Sequence, residues 1–102
     1  MLKIYNDGTR VTAAIIGDVD HHAARELRQE LDDVISRSRP ELLIIDMEKA
    51  GFMDSSGIGL ILGRMRAVRA NGGELLIKNA SPGIAEVIRI AGLGQLIVDS
   101  GK

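Results

Sequence analysis

Glu41-Leu42-Leu43-Ile44-Ile45-Asp46 holds four consecutive aliphatic residues between two carboxylates. The run is rich in strand formers and too short for a helix, and its unbroken apolar character is the pattern of a strand covered on both faces. It reads as the central strand of a sheet. After Gly51-Phe52-Met53-Asp54-Ser55-Ser56-Gly57 the period changes. Ile58, Ile61, Leu62, Met65 and Val68 recur at helical spacing until Asn71-Gly72-Gly73, residues that accept a left-handed cap, end the stripe. The helix starts near Ser55 or Ser56. A strand that passes through a short loop into a helix is half of a parallel crossover unit, so the fold class is α/β.

Toward the N-terminus, Pro40 requires that any preceding helix has already stopped. Ala24, Leu27, Leu31, Val34 and Ile35 place such a helix between Asp20 and about Ser38, with Arg25, Arg28, Glu30 and Asp32 on its other side. Asp20 is its N-cap. Before it, Leu2 to Tyr5 and Val11 to Ile16 alternate as strands around Asn6-Asp7-Gly8, a turn cluster that joins them as an antiparallel hairpin.

Toward the C-terminus, Leu75-Leu76-Ile77 is a further strand. Ser81-Pro82 caps and opens a third helix through Ile84, Val87, Ile88 and Ala91, and Gly92 closes it. Leu96-Ile97-Val98 reads either as a last strand or as a docking tail. The sum is one domain over residues 1–102, with a mixed four- to five-stranded sheet, an N-terminal hairpin and three or more helices. Open α/β sheets bind ligands beyond the carboxyl ends of their strands, here Ile16 to Asp20, Asp46 to Ser56 and Lys78 to Ser81.

Composition narrows the function classes. Of 102 residues, 13 are Lys or Arg and 14 are Asp or Glu, scattered rather than blocked, which argues against a nucleic-acid partner. With no cysteine, disulfides, thiol catalysis and thiolate metal sites are excluded. One Tyr, one Phe and no Trp leave no stacking platform for bases or sugars. The N-terminal residues turn polar too early for a signal-peptide core and no apolar run approaches membrane-spanning length, so a cytoplasmic protein with no membrane partner is expected.

The segment Phe52 to Gly59 carries the functional signal. Two adjacent hydroxyls, Ser55 and Ser56, fall where a helix presents its free amides and the positive end of its dipole, a setting that tolerates a phosphate. Gly57 and Gly59 cost about 1 kcal/mol each in helix propensity relative to Ala, and would let a partner or a kinase approach the backbone. Met53 reads as an adaptable partner contact beside this loop. The same residues also suit plain capping, with Ser55 or Ser56 as N-cap and Asp54 as dipole partner.

Phe52-Met53-Asp54-Ser55-Ser56-Gly57-Ile58-Gly59, together with Gly17-Asp18-Val19-Asp20-His21-His22-Ala23-Ala24, resembles the anti-sigma factor antagonist family, whose fold is the STAS domain. It looks especially like the branch that acts in the sporulation sigma-F switch of spore-forming bacteria. The resemblance spans essentially the whole chain, although the residues after Leu96 look short for the family's final helix. It implies that the unphosphorylated protein binds an anti-sigma factor that is also a serine kinase and so releases the sigma factor. Phosphorylation of Ser55 ends that binding, and a serine phosphatase restores it. Ser56 is then the cap, and Asp20, His21, His22, Met53, Asp54, Ser56, Gly57 and Gly59 contribute to the partner surface.

The rival readings fit less well. A serine hydrolase needs glycines two residues either side of its nucleophile, but Met53 precedes Ser55 and Asp54 and Ile58 flank Ser56. His21 and His22 are adjacent and so point about 100° apart on a helix, unlike an i, i+4 metal pair. Gly57, Gly59 and Gly63 miss the dinucleotide fingerprint by one residue, and no P-loop Lys-Ser or Lys-Thr follows. No cofactor or metal is expected, and the ATP of the switch belongs to the kinase. The chain is expected to be a binding protein, not an enzyme. A STAS scaffold or accessory subunit in stress signalling or a transporter is the alternative.

Overall fold

A computed structural model describes residues 1–98. Strands β1 (Leu2–Asp7) and β2 (Arg10–Ile16) form the antiparallel hairpin, with Gly8 at φ +72° in the turn and Asn6 Oδ1 accepting from the Gly8 N–H at 3.0 Å. Helix α1 (His21–Ser38), strand β3 (Leu42–Lys49), helix α2 (Ser55–Ala70), strand β4 (Glu74–Lys78) and helix α3 (Pro82–Ile90) follow. A 3-10 turn at Gly94–Leu96 leads into β5 (Ile97–Val98), so Leu96 to Val98 end as a turn and a short strand parallel to β4. Any docking role for the residues after Val98 lies outside the described residues.

The five strands lie in chain order, β1-β2-β3-β4-β5, and every pair after the hairpin is parallel. Right-handed crossovers between sequential neighbours return each helix to the same side. The burial pattern agrees. Val11, Ala13, Ile15, Leu43, Ile45, Met47, Leu75 and Ile77 share one core with the inward residues of α1, α2 and α3. Thr12, Ala14, Ile16, Leu42, Ile44 and Leu76, on the opposite face, stay half-buried.

This corrects the expectation that Leu42 to Ile45 is covered on both faces. Only Leu43 and Ile45 meet the helices, and burying an aliphatic side chain of that size is worth about 1.5–3 kcal/mol. The strand also runs on to Lys49, four residues beyond the apolar run. Met47 continues the core face, while the Asp46 and Glu48 carboxylates fall on the alternate positions, out of the core.

The helix ends follow local chemistry. Arg39, at φ +44°, closes α1 by donating its N–H to the Ile35 carbonyl, so the helix ends at Ser38, two residues before Pro40. After α2, Gly72 takes φ +84°, whereas Gly73 is needed for close approach: a Cβ there would sit 2.4 Å from the Pro40 carbonyl oxygen. No helix among the described residues is long and apolar enough to cross a membrane.

Candidate functional site

Two loops leave the carboxyl ends of neighbouring strands and stay joined. Beyond β2 and β3 the Gly17 N–H donates to the Lys49 carbonyl at 3.0 Å and the Gly51 N–H to the Gly17 carbonyl at 3.3 Å. The Val19 N–H then reaches the Phe52 carbonyl at 2.7 Å, and the Asp54 N–H the Val19 carbonyl at 3.3 Å. These bonds extend the parallel ladder to a bridge between Val19 and Met53. Both side chains turn inward, Val19 at 0 % and Met53 at 3 % exposure.

The first turn of α2 rests on that bridge. A Cβ at Gly57 would lie 2.1 Å from Met53 Cγ and 3.3 Å from Val19 Cγ1, so only glycine lets the helix approach this closely. Met53 and Gly57 are therefore corrected from partner-surface positions to packing positions: one is the plug under the helix, the other the space it occupies. The non-local pairing of the two loops, invisible in the local pattern, buries them.

The result is a pair of helix N-termini set side by side. Asp20 caps α1, Oδ1 accepting from the Ala23 N–H at 2.9 Å, as expected from the sequence. Asp54 caps α2, Oδ1 accepting from the Ser56 N–H at 2.8 Å, so the expectation that Ser56 is the cap is corrected by two positions. Ser55 becomes the first helical residue, exposed, with its hydroxyl in no hydrogen bond among the described residues. Ser56 is half-buried. His21 and His22 sit exposed in the first turn of α1, His22 Nε2 lying 3.7 Å from Glu26 Oε2. Gly59 is exposed, with open space where a Cβ would be.

Two features escaped the sequence reading. Phe52 is 51 % exposed on this edge, with its backbone locked to Val19. The only signal for it was a lone phenylalanine in a polar loop. The second is a groove of about 410 Å³ between α1 and α2, opening beside His21 and Ser56 and lined by Arg25, Arg28 and Arg64. Arg64 is only 8 % exposed and its Nε lies 2.9 Å from Asp32 Oδ1. Burial pulls its guanidinium pKa below the usual value, Asp32 opposes that, and the neighbouring Arg28 charge adds to it. An arginine inside an apolar helical stripe was the available clue. Among the described residues no group of three or more His, Asp or Glu side chains converges as a metal site would require.

Comparison with known proteins agrees with this geometry. The STAS domain family model matches residues 3–100. The chain is 38 % identical over 94 residues to an anti-sigma F factor antagonist from Lysinibacillus sphaericus, covering 90 % of this chain and 80 % of that protein. It is 32 % identical to an anti-sigma F factor antagonist from Paenibacillus polymyxa, covering 79 % of this chain and 69 % of that protein. Among solved structures it is similar to the anti-sigma factor antagonist SpoIIAA in its unphosphorylated form, with TM-score 0.89, 32 % identity and coverage of 100 % and 90 % of the two chains. The phosphorylated form of SpoIIAA from Bacillus matches with TM-score 0.79, 32 % identity and coverage of 100 % and 93 %.

Proposed function

This chain belongs to the STAS domain family, among the anti-sigma factor antagonists, and from that premise we propose that it is a switch set by one phosphate on Ser55. In the unphosphorylated state it binds an anti-sigma factor that is also a serine kinase, and the sigma factor is released. The kinase then transfers the γ-phosphoryl group of its ATP to Ser55 Oγ, with loss of the hydroxyl proton and release of ADP, and binding ends. A serine phosphatase hydrolyses the phosphoserine and restores the active form. The protein works in the cytoplasm as a regulatory binding partner, in sporulation-type control of transcription.

One observation carries this reading. Asp54 does the capping, which leaves the Ser55 hydroxyl exposed and uncommitted at the first helical position. A phosphorylated relative of matching fold supports it. The contact surface is the joined-loop edge with the helix starts it leads into: Asp20, His21 and His22 around the start of α1, and Phe52, Asp54, Ser56 and Gly59 around the start of α2. Phosphorylation adds about −1.5 to −2 charges beside Asp54. The α2 N-terminus accommodates that charge with up to about 2 kcal/mol, so no refolding is required. At an interface the same group must be desolvated next to the Asp54 carboxylate, and each 1.4 kcal/mol lost is about tenfold in affinity.

The test is calorimetric titration of the protein into the anti-sigma factor of its own organism. Ser55→Ala is expected to bind as the wild type does, and Ser55→Asp at least about tenfold more weakly. Equal affinity of all three would contradict the switch.

A further inference from the structure

The groove between α1 and α2 holds more positive charge than the fold uses. Arg25, Arg28 and Arg64 line it, and among the described residues the one carboxylate in ion-pair contact with any of them is Asp32, 2.9 Å from Arg64 Nε and 3.9 Å from Arg28 Nε. Two guanidinium groups thus share one carboxylate, and Arg25 has no carboxylate within ion-pair distance among the described residues. Arg64 is the unusual member: its Nε is fully buried and makes no directed hydrogen bond, only the charge contact with Asp32. A buried, incompletely satisfied cation is costly, and a core methionine or leucine at such a place is often as stable or more so. Stability alone does not account for it.

The floor points the same way. Gly59 and Gly63, one turn apart on α2, line the groove, take no positive φ, and would have a Cβ in open space. Neither backbone conformation nor packing requires glycine there, and each costs about 1 kcal/mol in helix propensity relative to Ala. What the two glycines provide is depth. At about 410 Å³ the groove is roughly fourteen times the ~30 Å³ share of one water, too large for a single small ion, with Ser56 and His21 at one end.

We propose that this groove is a docking site for an acidic segment of the protein partner, apolar contacts going to the glycine floor with Ala24 and Leu60, and carboxylates to Arg25, Arg28 and Arg64. The proposal rests on the reading that the adjoining edge meets a protein, and it extends that surface from the loop edge along the helices. Cationic walls over an apolar floor match a peptide carrying both kinds of side chain. Inorganic phosphate would use only the walls.

The test is a backbone-amide NMR titration of the intact protein with three probes: a short amidated peptide of alternating Glu and Leu, its Lys-for-Glu counterpart, and inorganic phosphate. The acidic peptide should shift Ser56, Gly59 and Gly63, and the other two probes should not. Arg25→Gln/Arg28→Gln changes exposed residues and should weaken the acidic peptide about tenfold, equivalent to 1.4 kcal/mol. Arg66→Gln/Arg89→Gln removes the same charge away from the groove and should stay within about twofold. Gly59→Leu, which fills the floor, should abolish peptide binding while the melting temperature holds or rises. Shifts spread over the whole surface, equal weakening by both double variants, or the same response to phosphate would each overturn the proposal.

A second arm separates this proposal from the function it builds on. If the wild type binds its anti-sigma factor and Arg25→Gln/Arg28→Gln binds equally well, the groove proposal fails and the switch stands. If the wild type binds no anti-sigma factor, the functional reading fails and the peptide titration alone decides the groove.

Discussion

Helices α2 and α3 both begin just past the carboxyl end of a parallel strand, and both carry a serine at their N-terminal boundary, yet these serines are in different chemical states. At α3, Ser81 is the cap: Oγ accepts from the Ile84 N–H at 3.3 Å, and Pro82 takes the first helical position. At α2 the carboxylate of Asp54 caps, and Ser55 occupies the first helical position with its hydroxyl free among the described residues. The surroundings differ too. The loop before α2 is hydrogen-bonded to the loop before α1, whereas Asn79, before α3, donates instead to Asp46 Oδ1 at 3.0 Å. A serine at a helix start is therefore not in itself a modification site. Its offset from the group that caps the helix decides what its hydroxyl can do.

The comparison breaks most readily at the support beneath α2. Met53→Ala should destabilise the protein by about 2–5 kcal/mol in urea unfolding, the range for truncating a buried side chain of that size. A surface contact would cost almost nothing. Gly57→Ala should cost about 1–3 kcal/mol through overpacking onto Met53. In the double variant the new methyl fills part of the space vacated, so the two losses should fall short of additivity by more than about 0.5 kcal/mol. Additive losses would mean that Met53 and Gly57 do not meet.

The caps come next. Asp54→Ala and Ser81→Ala should each cost about 1 kcal/mol, within the 0.5–2 kcal/mol range for losing an N-cap. Only the first should alter modification at α2, because it removes the group that leaves Ser55 free. The smallest effect belongs to Ser55 itself. Ser55→Ala should move stability by no more than about 0.5 kcal/mol, as at exposed positions without a structural role. A loss as large as that of Ser81→Ala would show the Ser55 hydroxyl to be a cap after all.

How much of this was legible in the sequence follows the range of the interactions. The hairpin, all three helices and the caps Asp20 and Ser81 were readable because turn and cap chemistry acts within a few residues. The α2 cap was misplaced by two positions because Asp54, Ser55 and Ser56 are all good caps, and the choice among them depends on where the incoming loop is held. That loop is held by Val19, more than thirty residues away in the chain. The same long-range pairing hid the burial of Met53. The length of β3 was underestimated because a carboxylate looks like a strand end until one face of the strand is known to lie outside the core. Arg25 and Arg28 were read as an ordinary solvated face, since nothing in α1 alone shows the buried Arg64 across the groove.

The most direct test of the switch is mass spectrometry of the intact protein and its peptides after incubation with ATP and the anti-sigma kinase of the same organism. We predict one added phosphate on the peptide containing Ser55, absent in Ser55→Ala, retained in Ser56→Ala, and accompanied by loss of kinase binding. A phosphate that maps to Ser56, or tight binding to an active kinase with no modification at all, would contradict the assignment of Ser55 as the switch.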